Sequence, residues 1–150
     1  MTGLPLLAPP VYTLQKTHGP RRFRKGEMAY IAQDPGSYEG TVVGTGQCVA
    51  FVQQASGAPV TSQLTQGDKA RGSSTIQKGT AIATFGANGN YTNSTDGTSH
   101  AAIYAGQDSA GLQVWDQWLG QPVHQRTIRF QGGAAGARPV NDGDAFYVIE

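Results

Sequence analysis

From residue 76 onward, clusters of Gly, Asn, Asp and Ser cut the chain into short apolar runs, and that punctuation limits what it can build. The runs are Gly79–Phe85, Ser99–Gly106, Leu112–Trp118, Val123–Phe130 and Asp144–Ile149. Each has the length of a strand and is too short for an ordinary globular helix. Gly86 to Thr98 (GANGNYTNSTDGT) reads as a turn-rich loop, and Asp108 to Gly111 as a hairpin turn. The pattern predicts a meander of about four or five mostly antiparallel strands.

One stretch before the meander is helical. Cys48, Phe51, Val52 and Ala55 fall at i, i+3, i+4 and i+7, one face of a helix. Thr45 or Gly46 is placed to act near the N-cap, and Gly57 to end the helix in the left-handed region. Pro59 to Gly72 reads as a polar connector with a helical turn around Thr61 to Thr65. Upstream, Pro5, Pro9, Pro10, Pro20 and Pro35 block long regular elements. There, Val11–Leu14 reads as a short strand, and Glu27 to Gln33 as a strand or a single helical turn. A helix followed by strands is an α+β layout.

At 150 residues the chain is expected to form one domain around a single core. Its 21 glycines, 8 prolines and 14% charged residues exclude a helical bundle and a disordered chain. A net charge of +1 gives no reason to expect nucleic acid or a membrane surface as partner. The short cluster Arg21–Lys25 reads as a solvated loop. One cysteine forms no internal disulfide, and one cysteine with three scattered histidines does not supply a metal site. No cofactor is expected. Met1–Leu7 has no basic region and its apolar run is broken by proline, so no secretory signal is read. No run is long enough to span a bilayer. These readings predict a soluble protein made in the cytoplasm, with any export by a route that reads no signal peptide.

Cys48, at the point where a glycine-rich turn becomes a helix, carries two readings. A lone cysteine on an apolar helix face is commonly a small buried hydrophobe. In the first helical turn, however, unpaired N–H groups and the helix dipole favour thiolate, as a nucleophile requires. Such a thiol needs a base. His18 lies beside Gly19 and Pro20 in an irregular segment, and His124 is adequately explained as an exposed cross-strand residue. His100 opens an apolar strand directly after a long polar loop, a rim position where a side chain faces a cleft. On the next run, alternation puts Val114, Asp116 and Trp118 on one face. Asp116 reads equally as a carboxylate that orients the imidazole and as an exposed acid on an edge strand. The Cys48 N–H and the Gln47 side chain are candidate oxyanion donors. Trp118 and Tyr38 are candidates for substrate contact; Trp115, on the opposite face from Trp118, is expected to pack in the core.

Gly46–Val52 (GQCVAFV) resembles the nucleophile-helix start of CHAP domains, and Ser99–Tyr104 (SHAAIY) resembles the histidine strand of NlpC/P60 peptidases. With Tyr91–Tyr104, Val114–Phe130 and Asn141–Glu150, the chain is more closely similar to the type VI secretion amidase effectors of family 2 over roughly residues 35–150. The resemblance implies a papain-like, NlpC/P60-type core over 1–150, with 1–35 an irregular arm. Its nucleophile helix would pack on a mostly antiparallel sheet of about four to six strands. It implies a peptidoglycan endopeptidase acting at the diaminopimelate–D-alanine cross-link, with Cys48 as nucleophile, His100 as general base and Asp116 as orienter. It further implies a monomer delivered by the type VI secretion apparatus into a rival's periplasm, and a cognate periplasmic immunity protein. A phage or housekeeping amidase cutting between D-glutamate and diaminopimelate, and an inactive wall-binding module, are the competing readings.

Overall fold

The computed structural model describes residues 29–150. The readings of Val11–Leu14, His18 and Arg21–Lys25, and most of the arm read over 1–35, lie outside the described residues. Ile31 makes an isolated antiparallel bridge to Thr80, so the segment read over Glu27 to Gln33 touches the sheet there without extending it as a strand.

The helix forms where the periodicity places it. Helix α1 runs Cys48–Ser56 and ends at Gly57, whose φ of 76° is left-handed and whose N–H bonds Gln53 O at 2.9 Å. Its N-cap is Gln47, not Thr45 or Gly46. Gly44 and Gly46 have φ of 57° and 85°, so the chain is still in a left-handed turn one residue before the helix can start. Phe51 and Val52 are fully buried, Cys48 and Ala55 partly so, and Phe51 takes Tyr38 edge-on at 5.6 Å. Burying a side chain such as Phe51 stabilises by roughly 1.5–3 kcal/mol.

Six strands form one antiparallel sheet: β1 (Gln66–Lys69), β2 (Ala81–Thr84), β3 (Ala101–Gln107), β4 (Gly111–Trp118), β5 (Gln121–Arg129) and β6 (Phe146–Ile149). Their order is β1-β6-β2-β3-β4-β5. Five of them occupy the five apolar runs. The sixth, β1, lies in the segment read as a polar connector. Its sequence QGDK has no apolar alternation, and pairing only with β6 at the sheet edge demands none.

Alternation divides the sheet into two apolar faces. Ala81, Ala83, Ala101, Ile103, Val123 and Ile149 gather on one, in the cluster that also holds Phe51 and Val52 of α1. Ile82, Ala102, Tyr104, Leu112, Val114, Ile128 and Phe146 gather on the other. Because β2 is flanked by β6 and β3 and covered on both faces, all four of its residues are buried. Helix α1 packs on β3 and β4, which brings its first turn to the end of the sheet where β3 begins. The layout is the α+β arrangement expected.

Candidate active site

The approach to Cys48 is pinned from β4. The fully buried Gln117 side chain accepts from Val43 N–H at 2.9 Å and donates to Val43 O and Gln47 O, both at 2.8 Å. Gln117 is therefore a clamp on the turn that presents the cysteine. No side chain caps the helix start, and with the Ala50 N–H held by Gln47 O the N–H groups of Cys48 and Val49 are left for a ligand.

His100 is fixed just before β3. Its N–H donates to Thr84 Oγ1 at 2.9 Å, and its carbonyl accepts from Thr84 N–H at 2.9 Å. The ring, 6% exposed as a residue, lies edge-on to Phe146 and Trp118 at 6.2 and 6.4 Å. His100 Nε2 meets Asp116 Oδ2 at 2.7 Å. The ring also acts electrostatically on the Cys48 thiol, and with Nε2 engaged by the carboxylate the nitrogen left to face sulfur is Nδ1. Cys48, His100 and Asp116 thus form one chain of contacts. The rim position of His100 and the alternation of β4 anticipate that arrangement.

Asp116 is fully buried, not the exposed acid of the alternative reading. The β4–β5 register sets it opposite His124, with Arg126 two residues further along the same face. Arg126 Nε and Nη2 both lie 2.8 Å from Asp116 Oδ2. His124 Nε2 lies 3.1 Å from Oδ1 without hydrogen-bond geometry. His124 is thus not the exposed cross-strand residue expected: it is half-buried between Asp116 and Trp118, whose ring it meets edge-on at 5.0 Å.

The charges follow from these contacts. Burial pushes the Cys48 thiol up, but the hydrogen bond and positive charge of His100, with bonds from the Ala101 backbone and Tyr91, bring it below its ordinary value. Burial pulls His100 down, yet Asp116 and Cys48 raise it to about 9. Burial pushes Asp116 up, and His100 and Arg126 more than offset this, leaving it below the ordinary carboxylate range. The lowered thiol and the raised imidazole both favour the thiolate–imidazolium form of the pair. Tyr91 Oη lies 3.7 Å from Cys48 Sγ. Burial and the thiol push this phenol up, so it stays protonated and can donate.

Beside His100 is a cavity of about 390 Å³. Trp118, Arg126, Asn141 and the hydroxyl-bearing loop of Ser94, Thr95 and Ser99 line it. Trp118 is 41% exposed there, while Trp115 packs against the core. Tyr38 packs on Phe51 and is not among the lining residues. Gln47 lies at the helix start with an exposed side chain. Among the described residues no group of three or more His, Cys, Asp and Glu is arranged to hold a metal ion. Sequence reasoning missed Tyr91, Gln117 and Arg126. A signal existed only for Arg126, which shares the face of His124 at a spacing of two.

The sequence model of the domesticated amidase effector 2 family matches residues 23–149. A type VI secretion amidase effector 2 protein of Salmonella typhi is 34% identical over 116 residues, covering 69% of this chain and 84% of that protein. Domesticated amidase effector 2 of Ixodes scapularis is 37% identical over 124 residues, covering 78% of this chain and 82% of that one. The solved structure of a type 6 secretion amidase effector 2 superposes with a TM-score of 0.71 at 33% identity, covering 81% of this chain and 94% of that one. With the family model spanning nearly all of the described residues, this chain belongs to the domesticated amidase effector 2 family.

Proposed function

We propose that the protein is a cysteine endopeptidase that cuts the diaminopimelate–D-alanine cross-link of peptidoglycan, with Cys48, His100 and Asp116 as its catalytic residues. The observation that carries this reading is the His100–Asp116 bond at 2.7 Å together with the electrostatic coupling of that imidazole to the Cys48 thiol. Membership of an amidase effector family supports an amide as the bond cut.

Thiolate Cys48 attacks the D-alanine carbonyl carbon, forming a C–S bond and a tetrahedral oxyanion. The Cys48 N–H at the helix start, the Tyr91 hydroxyl and the Gln47 side chain are the donors available to that oxygen. Imidazolium His100 protonates the leaving nitrogen as the C–N bond breaks, releasing the diaminopimelate amine and leaving a thioester. Neutral His100 then takes a proton from water, hydroxide adds to the thioester, and Cys48 departs as thiolate with His100 again charged. Asp116 holds the imidazole in the required tautomer and stabilises its charged form.

The names of the relatives support delivery by a type VI secretion apparatus into a recipient cell. The recipient's periplasm is where the substrate lies, the enzyme acts as a monomer, and an immunity protein in the producing cell protects its own wall by occluding the cleft. Digestion of purified sacculi, followed by chromatographic separation of the fragments, tests the activity. Cross-linked dimers should disappear with wild type and persist with Cys48→Ala. Dimers that survive wild type, or that Cys48→Ala removes equally well, would overturn the reading.

A further inference from the structure

The cavity beside His100 shares that residue with the reacting centre but is not lined by Cys48. In the mechanism above, His100 delivers a proton to the leaving nitrogen, so the half of the substrate carrying that nitrogen must lie against His100. Among the lining residues Arg126 brings a fixed positive charge, and none is acidic. Its Nε and Nη2 are spent on Asp116, whereas Nη1 has no hydrogen-bond partner among the described residues. Its side chain is 22% exposed, and the guanidinium sits 5.1 Å from the Trp118 ring centre, which restrains its plane. A second guanidinium, Arg138, stands beside the cavity wall: a Cβ on Gly97 would sit 2.8 Å from Arg138 Cδ. The acids nearby are engaged elsewhere, Asp116 by His100 and Arg126, and Asp96 by Thr98.

We propose that this cavity is the leaving-group subsite and that Arg126, through Nη1, binds the free carboxylate on the carbon next to the scissile nitrogen. The proposal rests on the cross-link reading and sharpens it. At the cross-link the released amine belongs to the diaminopimelate centre whose carboxylate is free. At the D-glutamate–diaminopimelate bond within a stem, the carboxyl next to the nitrogen is tied up in the following peptide bond and is neutral. A cation at this position therefore favours the cross-link over the stem bond, and Arg126 serves two anions at once: Asp116 with one edge, substrate with the other.

Two synthetic cross-linked peptides differing only in that carboxyl, free acid or carboxamide, test the assignment. Wild type should cleave the free acid with kcat/KM higher by about tenfold or more, with the larger part of the difference in KM. Arg126→Gln should bring the ratio of the two substrates to near one. That ratio is taken within one variant, so general damage from loosening Asp116 cancels. Equal cleavage of both peptides by wild type, or a preference retained in Arg126→Gln, would overturn the subsite. The wild-type comparison needs no variant to fold. Fragment masses separate this failure from that of the underlying reading: a cut between D-glutamate and diaminopimelate sinks both, whereas a cross-link cut without carboxylate preference sinks only the subsite.

Discussion

Asp116 and Gln117 are adjacent in β4 and both fully buried, yet each holds a different half of the reacting pair. Asp116 meets His100 Nε2 at 2.7 Å, and Gln117 clamps the turn that carries Cys48 with bonds of 2.8 to 2.9 Å. One peptide unit of the sheet thereby sets the separation of nucleophile and base. The β4–β5 pairing is irregular between Asp116 and Trp118, where regular alternation would otherwise carry on to the strand end.

The opposed shifts of Cys48 and His100 define a pH profile. The kcat/KM should rise on the acid side as the lowered thiol ionises, and fall as pH passes about 9 and His100 loses its proton. Asp116→Asn removes the largest influence raising His100, so the alkaline limb should move down in pH, with activity lower by roughly 10²- to 10⁴-fold. An unmoved limb in that variant would show that Asp116 does not act through His100.

Stability carries the same signature with the opposite sign for the two partners. His100 is raised from 6.5 to about 9, so its contribution is complete below pH 6.5 and is lost as pH rises through 9. Asp116 is lowered from 3.8, so its contribution is present above that value and is lost as pH falls below it. Thermal unfolding followed across pH should decline at both ends, and Asp116→Asn should flatten the alkaline decline.

Tyr91→Phe should leave the fold intact, because the ring keeps its edge-on contact with Phe85 at 6.4 Å. Loss of the hydroxyl removes a donor 3.7 Å from sulfur. If it serves the oxyanion, kcat should fall by about 10²-fold with KM little changed. Steady-state kinetics on a defined peptide check this, and a variant as fast as wild type would remove Tyr91 from the mechanism.

Gln117→Leu tests the clamp. Val43 O would keep the Gly46 N–H and Gln47 O the Ala50 N–H, but Val43 N–H would lose its partner inside the protein. One such orphan costs about 1–3 kcal/mol. Denaturant unfolding should show that loss, and alkylation of Cys48 by iodoacetamide near neutral pH should slow as the thiol drifts from His100. Wild-type stability together with wild-type reactivity would contradict the role.

The parts legible in the sequence were those written in local periodicity. Cys48, Phe51, Val52 and Ala55 specify α1, and the alternation through Val114 brings Asp116 inward toward His100. β1 was not legible, because an edge strand reading QGDK lacks the apolar pattern that betrays a strand. The N-cap expected at Thr45 or Gly46 falls at Gln47 instead, because the positive φ of Gly44 and Gly46 keeps the chain in a turn up to that residue. Tyr91 sits in a polar loop whose path depends on the rest of the fold, and the clamping role of Gln117 appears only when the turn before α1 lies across β4.

The clamp has one more consequence. Gln117 lies 74 residues from Val43, Tyr91 lies 43 from Cys48, and His100 must come from a strand beyond both turn and connector. Helix α1 can form early, but its sulfur lacks the base and the positive charge of His100 until β3 and β4 close around it. A chain still being made, or unfolded to pass a narrow channel, therefore carries a chemically quiet sulfhydryl. Reactivity switches on with the completed topology, so the thiol itself serves as a clock for the last step of folding.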